Sequence, residues 1–211
     1  MKQEPIIVLS GKTEPYTYQT LNVAINYAVK IHSGKFGKGL IPCIVHPLEV
    51  MNNLGFMRAD MTLMAAGVLH DIVENKILTL EDITEKFGQD IADLVDFLAE
   101  QDQSFPWREN KEILLKYLEK ASQRKQMLVL AYELSNIEAM VRDFEKLGDF
   151  YWKIYQDDRE EKEWYYRAVV KALSKLEEDY DVKYYYHRFI SAVDYVFSSG
   201  NSANSVKNYW E

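Results

Sequence analysis

Four histidines occur in the 211-residue chain, and two lie where buried polar groups demand an explanation. His70 is followed directly by Asp71 at the end of an apolar run, Leu63-Met64-Ala65-Ala66-Gly67-Val68-Leu69. Burying two such groups costs free energy unless each finds a partner. A metal ion is one such partner. With His46 at the start of another segment, they make two imidazoles and a carboxylate, a donor set suited to Mn, Fe, Ni or Zn. Mutual hydrogen bonding of His70 and Asp71, or capping of backbone groups at a helix end, is the alternative reading of the same pair. Glu74 and Asn75 lie four residues after His70 and Asp71, so each stands one helical turn further along, toward the same cavity. They are the candidate catalytic pair.

The elements that must position these residues read as helices. Leu21, Ala24, Ile25, Ala28 and Ile31 form one apolar stripe, which predicts a helix from Tyr18 to about His32. Gly34-Lys35-Phe36-Gly37-Lys38-Gly39 follows, a mobile or sharply turned loop. Pro47 suits the first position of a helix, which places His46 at its N-terminus. Asp60 is a cap for a core helix from Met61 to about Asn75, and Thr79-Leu80-Glu81-Asp82 resembles a capping box before a short helix that Gly88 ends. Pro106 breaks the chain, and helices are expected over 111–119, 126–144, 151–155, 160–178 and 184–197. No strand run or internal repeat is evident. The fold class is therefore all-α, with an arm over 1–17, a helical domain over 18–197 and a polar tail over 198–211.

Composition removes several functions. The 25 basic residues against 33 acidic ones give a formal charge of −8, which opposes binding to a nucleic-acid duplex. No apolar run reaches the roughly 18 residues of a membrane span. Cys43, the single cysteine, forms no internal disulfide, and MKQEPIIVLSGKTEP lacks the regions of a signal peptide, so the expected compartment is the cytoplasm. His32 and His187 have no ligand partner nearby in sequence and read as satisfied polar or surface residues. The aromatic group from Trp152 to Tyr186 reads as core packing in preference to base stacking.

The segments His32-Ser33-Gly34-Lys35, Pro42-Cys43-Ile44-Val45-His46-Pro47, Ala65 to Asn75 and Phe87-Gly88 together resemble the HD hydrolase domain of the RelA/SpoT alarmone enzymes and the small alarmone hydrolases. Leu130-Ala131-Tyr132-Glu133-Leu134-Ser135-Asn136 is similar to that family's later helix, and the likeness extends over about residues 18–176. It implies an HD-domain helical bundle that removes the 3′-pyrophosphate from a guanosine polyphosphate with Mn²⁺. His46, His70 and Asp71 would then hold the metal, Glu74 and Asn75 would act on the attacking water, and Lys35, Lys38 and Asn136 would contact the nucleotide.

Three departures from the family pattern bear on one pocket. Tyr132 stands where the resemblance places a fourth ligand, an Asp, and a phenol with an ordinary pKa of about 10 is a poor ligand at neutral pH. Asn75 stands for an Asp, and an amide takes up no proton. Gly37-Lys38 stands for an Arg-Lys pair, which removes a guanidinium able to stack on a base. The expectation is a divergent metal-dependent phosphohydrolase. An impaired relative that binds a nucleotide or protein without turnover is the alternative, and assembly as a homo-oligomer is left open.

Overall fold

The computed structural model describes residues 15–74, 77–99 and 105–198, the side chains of 15–17, Lys38 and Glu74 excepted. The expected arm and tail lie largely outside these residues. The described chain is all-α. The first helix, α1, spans Pro15–His32 and begins three residues before the expected start, because a proline costs nothing in a first helical turn. A 3-10 turn over Lys38–Leu40 follows, with Gly39 in the left-handed region at φ 65°. Then come α2 (Val45–Phe56) and α3 (Met61–Glu74). Pro47 sits in the third position of α2 instead of the first, still among the N–H groups that have no intrahelical acceptor. Asp60 caps α3 as expected, its Oδ1 accepting from the Leu63 N–H at 2.8 Å.

The capping box at Thr79 opens α4 (Leu80–Phe87), with Asp82 and Thr79 exchanging both hydrogen bonds. Gly88, at φ 91°, turns the chain into α5 (Gln89–Leu98). After the break at Pro106, α6 runs Trp107–Leu118, starting four residues earlier than the periodicity suggests because Pro106 itself serves as its N-cap. The long α7 spans Gln123–Leu147, and α8 is the short Phe150–Tyr155. The helix expected over 160–178 is two elements, α9 (Arg159–Ala172) and a 3-10 segment Ser174–Glu178. Last is α10 (Lys183–Phe197).

Two helices organise the core. Leu63, Ala65, Ala66, Val68, Leu69 and Ile72 are all buried on α3, which packs against α1, α2 and α5. A helix apolar nearly all round belongs at the centre of a bundle. Leu128, Val129, Leu130, Ala131, Leu134, Ile137 and Val141 are buried on α7, which packs against α2 and α10. An ion pair from Arg188 to Glu138, at 2.6 Å, ties α10 to α7.

The approach of α2 to α3 is set by Gly67. A Cβ added there would lie 2.6 Å from Leu54 Cδ1 and 3.3 Å from Val50 Cγ1, both fully buried side chains. Only glycine admits this spacing. Gly67→Val is expected to lower stability by about 3 kcal/mol, the upper end of overpacking costs, read as a reduced denaturant midpoint with an unchanged slope. An unchanged midpoint would show that the two helices separate freely.

Candidate functional site

That close approach brings His46, in the first turn of α2, against His70, in the last turns of α3. Their ring centroids are 4.9 Å apart and the planes lie at 87°. His70 Nδ1 is 2.8 Å from the Gly67 carbonyl oxygen. A carbonyl only accepts, so Nδ1 carries the proton and Nε2 keeps its lone pair. His46 Nδ1 is 2.9 Å from Ser135 Oγ, and that hydroxyl donates to Glu49 Oε2 at 2.7 Å. Because the hydroxyl proton goes to the carboxylate, His46 Nδ1–H must be the donor to Ser135. Arg142, 3.3 Å from Glu49, completes a polar chain between α2 and α7.

Both imidazoles are held neutral. Burial lowers the His46 pKa to about 3, with further lowering from His70 and His32. Burial also lowers that of His70, against an opposing pull from Asp71 and the Gly67 carbonyl. Neutral rings with fixed tautomers, each oriented through its second nitrogen, have the character of metal-binding histidines.

The remaining expected ligands are arranged differently. Asp71 Oδ1 lies 3.2 Å from Nε2 of His32, a buried residue at the end of α1. The Tyr132 ring sits 5.4 Å from His46 and 5.1 Å from His70, centroid to centroid, edge-on to both. Among the described residues no group of three His, Cys, Asp or Glu side chains converges to hold a metal ion. The two histidines therefore suit a divalent ion in chemistry, and the third and fourth positions do not fit one as they stand.

Beyond Tyr132 opens a cavity of about 380 Å³. Tyr132 lines it, and neither histidine does, so this ring forms a wall between the imidazoles and the cavity. Asn136 lines the cavity with Trp107, Tyr165, Tyr166, Lys111, Lys162, Glu133, Asp143 and Asp157. Lys162 Nζ lies 3.6 Å from Asp157 and 4.7 Å from the Trp107 ring centre. Burial raises the Glu133 pKa, which Lys111, the Tyr165 hydroxyl and Asn136 partly offset. Lys35 is exposed in the loop after α1 and does not line the cavity; from that loop it is Ile41 that does. Lys38 belongs to the 3-10 turn and Glu74 ends α3, while Asn75 lies outside the described residues.

Several residues at the site gave little sign in the sequence. His32 meets Asp71 across 39 positions, and Ser135 meets His46 across 89, separations that no helical spacing reveals. Glu49 does stand three residues after His46, one turn along α2, and its placement on that face was the available signal. Of the aromatic group, Tyr165 and Tyr166 are buried in the core and also line the cavity, as does Tyr151.

Residues 24–147 match the HD domain family. The chain belongs to the HD-domain family. Its homologues are of the SpoT and MESH1 type. It is 31% identical over 123 residues to the guanosine-3′,5′-bis(diphosphate) 3′-pyrophosphohydrolase MESH1 of Xenopus tropicalis, covering 56% of this chain and 68% of that protein. It is 43% identical over 70 residues to a GTP pyrophosphokinase of Myxococcus xanthus, covering 33% of this chain and 9% of the other. A guanosine-3′,5′-bis(diphosphate) 3′-pyrophosphohydrolase from Vibrio cholerae is 34% identical over 100 residues, 47% of this chain and 14% of that one. The chain thus spans a small part of the long curated relatives and about two thirds of MESH1. Among solved structures, a Listeria monocytogenes protein superposes with a TM-score of 0.67 at 23% identity, covering 73% of this chain and 99% of that one. A metazoan SpoT ortholog that hydrolyzes ppGpp gives 0.64 at 20% identity, covering 86% and 97%. These two share the fold.

The neutral histidines make stability depend on pH. The unfolded state takes up a proton at His46 near pH 6.5, while the folded state does so only near 3. Protons therefore favour unfolding across that window, and stability is lost as pH falls from about 6.5 toward 3, by about 1.4 kcal/mol per pH unit for one proton. In His46→Asn that share of the slope should vanish, as read by urea unfolding from about pH 6 to about pH 4. An unaltered slope would mean that His46 is charged in the folded chain.

Proposed function

We propose that this HD domain is a divergent phosphohydrolase acting on a guanosine polyphosphate or a related nucleotide. The observation that carries this reading is the pair of neutral, tautomer-fixed imidazoles standing directly behind an aromatic, lysine-bearing cavity. The 3′-pyrophosphohydrolase activity of MESH1 and of the Vibrio protein supports the substrate class. We assign His46, His70 and Asp71 as ligands of a divalent ion, Mn²⁺, on condition that Asp71 parts from His32 and Tyr132 turns aside. Such an ion would supply Lewis-acid polarisation of a phosphoryl oxygen.

The chain's own groups carry the other roles. Glu74 and Asn75 are assigned to act on the attacking water. Asn136 contacts the nucleotide from the cavity wall, and Lys35 and Lys38 approach its phosphates from the loop. Lys111 and Lys162 add positive charge inside the cavity. The cytoplasm is the compartment assigned with this substrate; no helix among the described residues is long and apolar enough to cross a membrane. The charge of −8 leaves no role for a nucleic-acid duplex, and a homo-oligomer is compatible with the assignment.

The test is pyrophosphate release from guanosine 3′,5′-bis(diphosphate), with and without Mn²⁺, alongside metal content by mass spectrometry. Ion-dependent turnover that disappears in His70→Ala is expected. Asn75→Asp should raise the rate about 10²-fold by restoring a group able to take a proton, the low end of what one general base contributes. Absence of turnover at every ion concentration would sink the hydrolase assignment.

The packing of Tyr132 on both imidazoles favours a second reading, in which the cavity binds a nucleotide without turnover. It has a separate signature. The wild-type chain would retain no ion after removal of excess Mn²⁺, Tyr132→Asp would retain about one per chain, and nucleotide would still raise the melting temperature of both.

A further inference from the structure

Glu133 stands one residue beyond Tyr132 on α7, and the chemistry proposed above gives it no task. It is only 2% exposed, yet it contributes to the cavity wall. A buried carboxyl group is stable only among donors. Tyr165 donates its hydroxyl proton to Oε1, and Asn136 Nδ2 donates to Oε2 from 3.4 Å. A carboxylate offers about four acceptor positions, so these two bonds fix its plane and leave both oxygens able to accept again. Asn136 and Tyr165 line the same cavity, so the group they hold is presented to whatever enters.

The surroundings limit what that ligand can be. Trp107, Tyr132 and Tyr165 line the cavity with aromatic rings, Lys162 standing over Trp107 and Lys111 over Tyr165, and such walls suit a planar ring. Asp143 and Asp157 also face the cavity, so its wall carries three carboxyl groups beside the ammonium groups of Lys111 and Lys162, and the atoms that meet Glu133 itself must be donors. A planar ring with two N–H donors on one edge meets both conditions. Guanine has such an edge, its N1–H beside its 2-amino group, and a carboxylate receives the two together in bidentate fashion. Adenine sets a ring nitrogen lone pair beside its amino group, and that lone pair would face the carboxylate oxygen.

We propose that Glu133 is the specificity-determining residue of this cavity, accepting the N1–H and 2-amino protons of a guanine base while Asn136 and Tyr165 hold its carboxylate. The assignment rests on the cavity being the nucleotide site, and it requires neither a metal ion nor turnover. It sets the base against Glu133 and leaves the lysines of the same wall to the phosphates.

The experiment is calorimetric titration of the full chain with guanosine, inosine and adenosine, which carry no phosphate and need no metal. Guanosine should bind about 10- to 100-fold tighter than inosine, which lacks only the 2-amino group, the range for a hydrogen bond to a charged acceptor. Adenosine should bind more weakly still. In Glu133→Gln, an isosteric change, the preference for guanosine over inosine should shrink to within about 3-fold, because the amide turns a donor toward the base. Thermal unfolding of the variant checks that it folds; if it does not, the guanosine–inosine comparison on the wild-type chain decides. Equal affinity of the wild type for the two nucleosides, no binding of guanosine, or a preference kept intact by a folded Glu133→Gln would each overturn the assignment. Its failure is separable from that of the hydrolase reading. Equal hydrolysis of guanosine and inosine bis(diphosphates) would leave the activity standing and remove Glu133, whereas a Glu133-dependent guanosine preference without pyrophosphate release would do the reverse.

Discussion

The contact between α2 and α3 at Gly67 sets the distance on which the site depends. A missing Cβ draws the helices together, and the same residue's carbonyl accepts the proton of His70 Nδ1. Packing and tautomer are thus fixed at one position. Were α2 held further away, His46 would lose its edge-on neighbour, and water entering the gap would weaken the desolvation that keeps both rings neutral. A neutral imidazole with a known tautomer is a different reagent from an imidazolium: it has a lone pair to give.

The polar links across the helices follow from that arrangement. Arg142, Glu49, Ser135 and His46 form one chain between α7 and α2, and His32 meets Asp71 between α1 and α3. Each link answers the cost of a polar group placed inside an apolar bundle, about 1–3 kcal/mol for a donor or acceptor left without a partner. The helices are consequently registered by these bonds as well as by side-chain shape. A bundle packed by Leu and Ala alone tolerates small slides, whereas a hydroxyl shared between an imidazole and a carboxylate does not.

Much of this architecture was legible because its causes are local. The Thr79–Asp82 capping box, the Asp60 cap, the Gly88 turn and the apolar run of α3 all act through residues within one helical turn. His46 and His70 were also identifiable, each marked by its position at the end of a helix. The split of the 160–178 segment at Leu173 was not, since its apolar period continues while the chain tightens into a 3-10 turn. Nor was His32: its partnership with Asp71 is tertiary, and a buried histidine at a helix end looks the same in sequence whether it meets a carboxylate or a carbonyl. Ser135 belongs to the Leu130–Asn136 motif, but its role depends on Glu49 approaching from another helix.

Tyr132 and Glu133 show how one helix can separate two environments. Successive residues are rotated by about 100°, so side chains at 132 and 133 cannot share a direction. Tyr132 covers the imidazoles and presents its other face to the cavity, while Glu133 turns toward α9 and Tyr165. The phenol makes the imidazole side drier, and the carboxyl group brings an acceptor to a wall otherwise rich in rings. An aspartate at 132 would have left the imidazoles facing a carboxylate, raising their pKa by direct attraction. With tyrosine there, the carboxylate that acts on His70 is Asp71, already engaged by His32. The electrostatics of the histidine pair and the hydrogen-bonding character of the cavity are thus divided between adjacent residues of α7, and a change at either one leaves the other's partners in place.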